Sequence, residues 1–347
     1  MSRGKGKIFR RFFKKIDIFS EMEYNGGMEK IQIAIIGGGA SGLILAATLE
    51  GVGKTVLFER GDRVGRKLSA TGNGQGNITN LSADETEYFS SEKSASRRAG
   101  EIVSAYGQEK LRAYFRSLGV LLTADDRGRV YPAGRQASAL TDALRFRLRE
   151  KGVDVRLSSR VADMERTEDG FVLTVEQGAE KQKLFAEKVV LCAGGKAAKN
   201  FGTDGSAYAL ARKFGHTVTP LFPSLVQLKT DTAYTKALKG VRINDGGLTA
   251  LLPAGERISL RGDIIFTDYG VSGDAVFRIS AYIADKLPSG KVRLSLDLLP
   301  AATEEEILAA LRQKRAAFPA LADGELLFGI LNNQVGRVVM KRAGGDI

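Results

Sequence analysis

The sequence predicts an α/β protein built on a parallel sheet, and three observations predict it. Residues 31–36, Ile-Gln-Ile-Ala-Ile-Ile, form a β-branched apolar run. Gly37-Gly38-Gly39-Ala40-Ser41-Gly42 follows at once and opens an apolar helical stretch over 43–49. A second short strand, Thr55-Val56-Leu57-Phe58, then ends in Glu59, 22 residues after Gly37. Strand, glycine turn, helix, strand and acid in that order are the parts of a dinucleotide-binding unit. The first glycine makes the tight turn, the second lets a pyrophosphate approach the backbone, and the third packs helix on strand. Those are Gly37, Gly39 and Gly42. The helix start offers unpaired N–H groups and a positive dipole end to phosphate, and Glu59 can accept from a ribose hydroxyl.

Ahead of this unit, residues 1–27 read as a separate leader. Ile8, Phe9, Phe12, Phe13, Ile16 and Phe19 recur at helical spacing with Arg10, Arg11, Lys14 and Lys15 between them. A basic amphipathic helix of this kind suits peripheral contact with an anionic membrane face through residues 8–19. The competing reading is a disordered leader or a mis-assigned start, since Met28 directly precedes the first strand.

After the first unit, residues 61–80 form a long Gly/Asn/Thr-rich segment without periodicity, a length of loop that is usually functional. Helical patterns cover 91–118 and 136–150, and short strands are expected at 153–157, 170–176 and 184–186. Lys188-Val189-Val190-Leu191-Cys192-Ala193-Gly194-Gly195 reads as a buried parallel strand that returns to the sheet begun at Ile31. A loop and a helix at 206–214 follow. Between 217 and 297 short β-like runs dominate, at 247–252, 263–267 and 291–296, and helices are expected at 303–317 and 325–342.

Composition narrows the functional classes. The chain has 347 residues, 43% hydrophobic and 27% charged, a soluble globular balance for two or three domains. No run of 18 apolar residues occurs. Cys192 is the only cysteine and His216 the only histidine, so neither a disulfide, a thiol redox pair nor a metal cluster is expected. A cytoplasmic setting is the expectation. Cys192 is expected as a core thiol, and His216 as a structural residue after a helix C-cap glycine. The net charge is +12, of which +4 lies on residues 1–27. A basic surface invites a polyanion such as RNA and equally suits a phosphate-bearing cofactor.

The loop Gly65-Arg66-Lys67-Leu68-Ser69-Ala70-Thr71-Gly72-Asn73-Gly74-Gln75-Gly76-Asn77 carries the next signal. Its glycines allow close approach to a flat ligand. Arg66 and Lys67 can neutralise phosphate, and its Asn and Thr side chains suit a ring with both donors and acceptors. With the strand at 188–195, this narrows a dinucleotide site to FAD.

Six stretches carry a family resemblance. They are IIGGGASG at 35–42, GRKLSATGNGQGN at 65–77, VVLCAGGKAAKNFGTDG at 189–205, PLFPSLVQL at 220–228, FTDYGVSGDAVFRIS at 266–280 and GILNNQVGRVVMKRAG at 329–344. The chain resembles the BaiN-type NAD(P)/FAD-dependent oxidoreductases, the aminoacetone-oxidase-like FAD-binding flavoproteins. The resemblance implies a Rossmann-like FAD/NAD(P)-binding domain over 28–195, an inserted β-rich, barrel-like domain over 196–300 and a small helical part over 301–347. It also implies that the final FAD-domain segment of the family lies beyond this chain. Carried over by position, Gly37, Gly39, Ala40, Ser41 and Gly42 would hold the pyrophosphate. Glu59 and Arg60 would bind at the adenosine ribose, and Val161 would meet adenine through its backbone. Lys67, Thr71, Gly72 and Asn77 would lie along ribityl and flavin, with Ala193, Gly194 and Gly195 closing over them. The family has Arg-Cys where this chain has Gln75-Gly76.

The expected chemistry is hydride transfer from NAD(P)H through flavin N5 to an unidentified acceptor, a small molecule first of all. No second glycine fingerprint occurs, so NAD(P)H would bind transiently. Asp268 and Tyr269 are the candidates for proton transfer. Two alternatives stay open: flavin-dependent reduction of a uridine base in ribosomal RNA, and a truncated, inactive nucleotide-binding remnant.

Overall fold

The computed structural model describes residues 27–84, 88, 90 and 93–344; the amphipathic stretch at 8–19 lies outside the described residues. Contacts divide the chain into two compact units that meet in sequence at Thr219–Pro220.

The first unit opens with β1 (Glu29–Ile36), α1 (Ala40–Thr48) and β2 (Thr55–Phe58), as the glycine fingerprint requires. There follow β3 (Thr79–Asn80), α2 (Lys93–Ala105), α3 (Gln108–Ser117), β4 (Leu122–Ala124), β5 (Arg129–Pro132) and α4 (Ser138–Glu150). The helical pattern expected over 91–118 is two helices, with Gly107 at the N-cap of the second. The unit continues with β6 (Asp154–Arg156), β7 (Arg160–Arg166), β8 (Phe171–Gln177), β9 (Glu180–Leu191) and α5 (Ala207–Lys213). The runs at 184–186 and 188–191 are therefore one twelve-residue strand.

The main sheet has the order β6-β2-β1-β9-β8-β7. β6, β2, β1 and β9 run parallel, with Ile36 beside Phe58 on one side and Leu191 on the other. β8 and β7 add an antiparallel edge. β1 is central, so both its faces are covered, which is why it reads as an unbroken apolar run rather than an alternation. Ile33 and Ile35 join Leu43, Ala46, Ala47, Leu57, Leu140, Leu144 and Leu148 on the side of α1 and α4. Ile31, Ala34 and Ile36 join Val56, Phe58, Leu173, Val175 and Leu184 on the opposite face. The return strand is parallel to β1 as expected but not buried along its length: Val190 and Leu191 are each 37% exposed. A small antiparallel sheet, β3-β5-β4, stands on its own.

An ion-pair cluster ties the start of β1 to β6. Arg156 meets Glu29 at 2.6 Å and Asp154 at 2.7 Å, and Lys54 meets Glu29 at 2.7 Å. The Arg156 hydrogen bond, aided by Lys54 against a desolvation penalty, lowers the Glu29 carboxyl from 4.5 to about 2. A carboxylate whose folded pKa is depressed stabilises the fold above its unfolded pKa and loses that contribution as pH falls toward the folded value. With Glu29 31% exposed, solvent screening leaves about 1–2 kcal/mol. Glu29→Gln is expected to lower the urea midpoint accordingly at pH 7. The gap to the unsubstituted protein should shrink steadily below about pH 4.5, read from denaturation curves at each pH.

The second unit contains β10 (Leu228–Lys229), α6 (Thr232–Thr235), β11 (Arg242–Leu251), β12 (Arg257–Thr267), β13 (Gly270–Ser272), α7 (Asp274–Ile283), β14 (Arg293–Asp297), α8 (Glu304–Ala317) and α9 (Asn333–Arg342). Its sheet has the order β10-β13-β12-β11-β14 with antiparallel pairing throughout. α7 falls in a region expected to be β-like. Ala275, Val276, Ile279 and Ile283 recur at helical spacing and are all buried against that sheet. α9 starts at Asn332, whose side chain accepts from the Gln334 N–H, rather than at 325.

Candidate functional site

The parallel strands β1, β2 and β9 end together, and the chain turns there through glycines. Gly37 has φ +111 and donates its N–H to the Phe58 carbonyl at 2.8 Å. A Cβ at Gly37 would lie 2.6 Å from the Cys192 carbonyl oxygen, so only glycine fits between β1 and the end of β9. The Gly38 N–H donates to Glu59 Oε2 at 2.8 Å, and Gly61 donates to Glu59 Oε1 at 2.7 Å. Glu59 thus holds the turn from the adjacent strand while each of its oxygens keeps lone-pair capacity for a further donor.

α1 starts at Gly39 in extended conformation with no side-chain cap. The N–H groups of its first turn have no intrahelical partner and form the positive end of the helix dipole. At Gly42 a Cβ would clash with the Gly37 carbonyl oxygen, which explains the third glycine of the fingerprint. At Gly39 a Cβ would meet nothing within 4 Å. Gly37 and Gly42 are therefore glycines because protein crowds them. Gly39 is not crowded by protein, and the space beside it is the cradle a pyrophosphate needs.

That space is a cavity of about 560 Å³ at the strand ends. Of the sequence-derived residues, Gly37, Gly39, Ala40, Ser41, Glu59 and Arg60 line it. So do Arg66, Lys67, Thr71, Val161, Ala193 and Gly194. Arg63, Arg66 and Lys67 are among the cations that line it. The Lys67 Nζ comes within 3.7 Å of where a Gly194 side chain would begin. Arg60 meets Asp204 at 2.9 Å and also reaches the Gly202 carbonyl, so it fastens the loop at 202–206 to the end of β2. The Arg60 hydrogen bond, with that from Ser206, holds the Asp204 carboxyl well below the usual range.

Four expected residues stand behind the wall rather than in it. Gly42 packs the turn. Gly72, with φ +57, packs against Asn77 and Tyr131. Asn77 spends its amide donors on the Thr79 carbonyl at 3.0 Å and the Val130 carbonyl at 3.1 Å, tying the loop to the β3–β5 ladder. Gly195 accommodates the Tyr208 hydroxyl, 2.8 Å from where its Cβ would be. Gly76, with φ +79, faces Ala137 with no room for a Cβ, at 2.8 Å.

Several lining residues were not singled out beforehand. Gly38 was inside the glycine run, and Phe201 and Thr203 lie in the quoted stretch 189–205 beyond its last named residue. Ser159 and Arg63 had no signal of their own. Cys192 is only half-buried and lines the cavity rather than sitting within the core; burial raises its thiol pKa, partly offset by a Ser41 hydrogen bond, so it stays a neutral thiol. His216 is exposed. Its N–H reaches the Ala211 carbonyl at 3.2 Å, and that of Gly215, at φ +81, reaches Arg212 at 2.9 Å, which together close α5.

In the second unit, Asp268 lies in the β12–β13 turn, paired with Lys239 at 2.9 Å. The Lys239 hydrogen bond lowers its pKa, so it stands as an ionised, half-exposed acceptor. Tyr269 contributes its carbonyl to the Thr230 N–H at 3.1 Å. Among the described residues, no group of three His, Cys, Asp or Glu is placed to hold a metal.

The turn, the uncapped helix start, the open side of Gly39 and the cations Arg66 and Lys67 fit the pyrophosphate of a dinucleotide. Comparison with known proteins agrees. The family model described as HI0933-like protein Rossmann domain matches residues 31–341. A 3-dehydro-bile acid delta(4,6)-reductase from Clostridium scindens is 36% identical over 303 residues, covering 86% of this chain and 72% of that protein. Ribosomal RNA dihydrouridine synthases from Escherichia coli and Haemophilus influenzae are 27% and 31% identical. They cover 84% and 78% of this chain, and 69% and 65% of their own lengths.

Proposed function

Because the chain belongs to the HI0933-like Rossmann-domain family and is a FAD-dependent oxidoreductase, we propose that it uses NAD(P)H to reduce a carbon–carbon double bond conjugated to a carbonyl. The activities of its relatives support this reading, since a delta(4,6)-reductase and a dihydrouridine synthase both add two hydrogens across such a bond. FAD held in the cavity at the strand ends would supply the hydride-transfer chemistry. The balance is one hydride from NAD(P)H and one proton from solvent or a side chain, giving NAD(P)⁺ and the saturated acceptor.

The observation that carries the reading is the cavity where β1, β2 and β9 end. Its residues bind and orient. The first turn of α1 and the cations Arg66 and Lys67 would hold the pyrophosphate, and Glu59 a ribose hydroxyl. Val161, at the bulged start of β7, would present its backbone to adenine. Thr71, Ala193 and Gly194 would border the remainder of the cofactor, with the Arg60–Asp204 pair fastening the 202–206 loop to the end of β2. A small molecule of steroid-like size is the proposed acceptor, given the greater identity to the bile acid enzyme, and the cytoplasm the proposed compartment. Among the described residues no helix is long and apolar enough to cross a membrane.

The test is anaerobic titration of the purified yellow protein with NADH and with NADPH, followed by addition of acceptor. Bleaching of the flavin band by either nicotinamide is expected, with recolouring by a 3-keto steroid conjugated at two double bonds. Failure of both nicotinamides to bleach it would overturn the reductant. A second reading, reduction of a uridine in ribosomal RNA, is favoured by the two dihydrouridine synthases and the net charge of +12. It requires recolouring by ribosomal RNA and not by the steroid, with binding that weakens steeply as salt rises.

A further inference from the structure

A second cavity, of about 510 Å³, lies in the first unit on the outer side of the 62–64 loop. Its size is that of an ordinary small-molecule site. It is built on the edge of the main sheet, because β6 has no strand beyond it. Val153, Val155 and Leu157 alternate along and beside β6 and so share one face, which forms the floor with Val64 and Leu148. α4 forms the wall, with Arg145 and Arg149 one helical turn apart. Arg63 enters from the loop and lines both this cavity and the cofactor cavity.

The floor is held open by the fold itself. Leu148 is 1% exposed in the main core, Val64 packs against the glycine turn, and Ser69 and Thr141 share a hydroxyl hydrogen bond of 3.2 Å at the base. The rim is charged. Arg145 is neutralised by Asp142 at 3.1 Å. Among the described residues, Arg63, Arg149 and Asp62 have no recorded partner, which leaves the rim one net positive charge. An apolar floor with two free guanidinium groups against one carboxylate selects a ligand with an apolar body and a single anionic head, and disfavours a polyphosphate.

We propose that this cavity is a second ligand site, separate from the cofactor site, for a small amphipathic monoanion such as a carboxylic acid: the apolar part lies on Val153, Val155 and Leu157 and the carboxylate meets Arg149 and Arg63. The proposal does not depend on which acceptor the flavin reduces. It is tested on the yellow holoprotein by calorimetric titration with octanoate and with octanol. Octanoate is expected to bind one-to-one and octanol at least about tenfold more weakly, the value of one charge-assisted hydrogen bond. Arg149→Gln should weaken octanoate by about tenfold or more, and Leu157→Asp, which sets a carboxylate on the floor, should remove binding. Both variants should keep the flavin absorbance of the parent, since neither residue lines the cofactor cavity. No saturable heat with octanoate, equal affinity for octanol, or octanoate binding unchanged in Arg149→Gln would overturn the site.

Discussion

Gly39→Asp is expected to give a folded protein that purifies without flavin. The expectation rests on the contrast among the glycines of the turn. A side chain at position 39 meets no protein atom within 4 Å, and the backbone there, at φ −79, is open to any residue. Position 39 is also the N-cap of α1, where aspartate is among the favoured residues and is worth about 1 kcal/mol to a helix. The substitution should therefore leave stability unchanged or slightly raised. Its carboxylate, however, would occupy the space reserved for the pyrophosphate. Two like charges about 4 Å apart repel by about 4 kcal/mol at the effective dielectric of a protein surface, roughly a thousandfold in affinity. The added groups would also compete for the first-turn N–H donors. Flavin absorbance per mole of protein and the thermal midpoint, measured on the same sample, separate the outcomes. A colourless protein with an undiminished midpoint is the expected pair. A variant that remains fully yellow sinks the cofactor assignment.

Much of this site was legible because the chemistry of the turn is written in adjacent residues. Gly37, Gly39, Gly42 and Glu59 are close in sequence, and each has a separate physical duty that the strand–helix–strand context discloses. The sequence was less informative where one residue type serves two purposes. Gly72, Asn77 and Gly195 belong to the right segments. They are needed for packing the loop, with Asn77 committed to the carbonyls of Thr79 and Val130. Nothing in a linear string separates a glycine that faces a ligand from one that faces a tyrosine. Arg60 shows the same limit: its guanidinium is engaged by Asp204, 144 residues away, a pairing no local pattern announces.

Individual elements of the fold are less legible for comparable reasons. Residues 184–186 and 188–191 have different polarity on either side of Glu187, yet they make one strand, because β1 and β8 supply partners along its whole length. The helix Asp274–Ile283 was hidden in a β-like stretch although its apolar residues follow helical spacing; β-branched Val276, Ile279 and Ile283 favour strand locally, and burial against the second sheet overrides that preference. Chain-level charge told least. A net +12 is compatible with RNA, membrane or cofactor, whereas Arg66 and Lys67 lining a cavity beside an uncapped helix start point to phosphate.

Gly42→Val should unfold the first unit or bring it close to unfolding, the opposite of what helix propensity foretells. Within an unconstrained helix, replacing glycine by a residue with a side chain gains up to about 1 kcal/mol. Here the position is in the first turn of α1, and a Cβ would clash with the Gly37 carbonyl oxygen and press on Ile35 Cγ2 at 3.3 Å. Neither neighbour can yield. Gly37 is pinned by its hydrogen bond to Phe58 and by the Cys192 backbone, and Ile35 is fully buried in the central strand. Relief requires α1 to lift from β1, which uncovers Leu43, Ala46 and Ala47 in the core they share with Leu57 and Leu144. Overpacking of this kind costs about 1–3 kcal/mol when side chains can adjust and more when backbone must move. Set against a total stability of about 5–15 kcal/mol, several kcal/mol lost here is a large share. The urea midpoint should fall sharply, with the flavin lost at the same denaturant concentration as the fold. In Gly39→Asp, by contrast, flavin is lost while the fold stands. That difference between two glycines three residues apart is what a helix start shaped around a pyrophosphate requires: one glycine makes room for protein, the other for ligand.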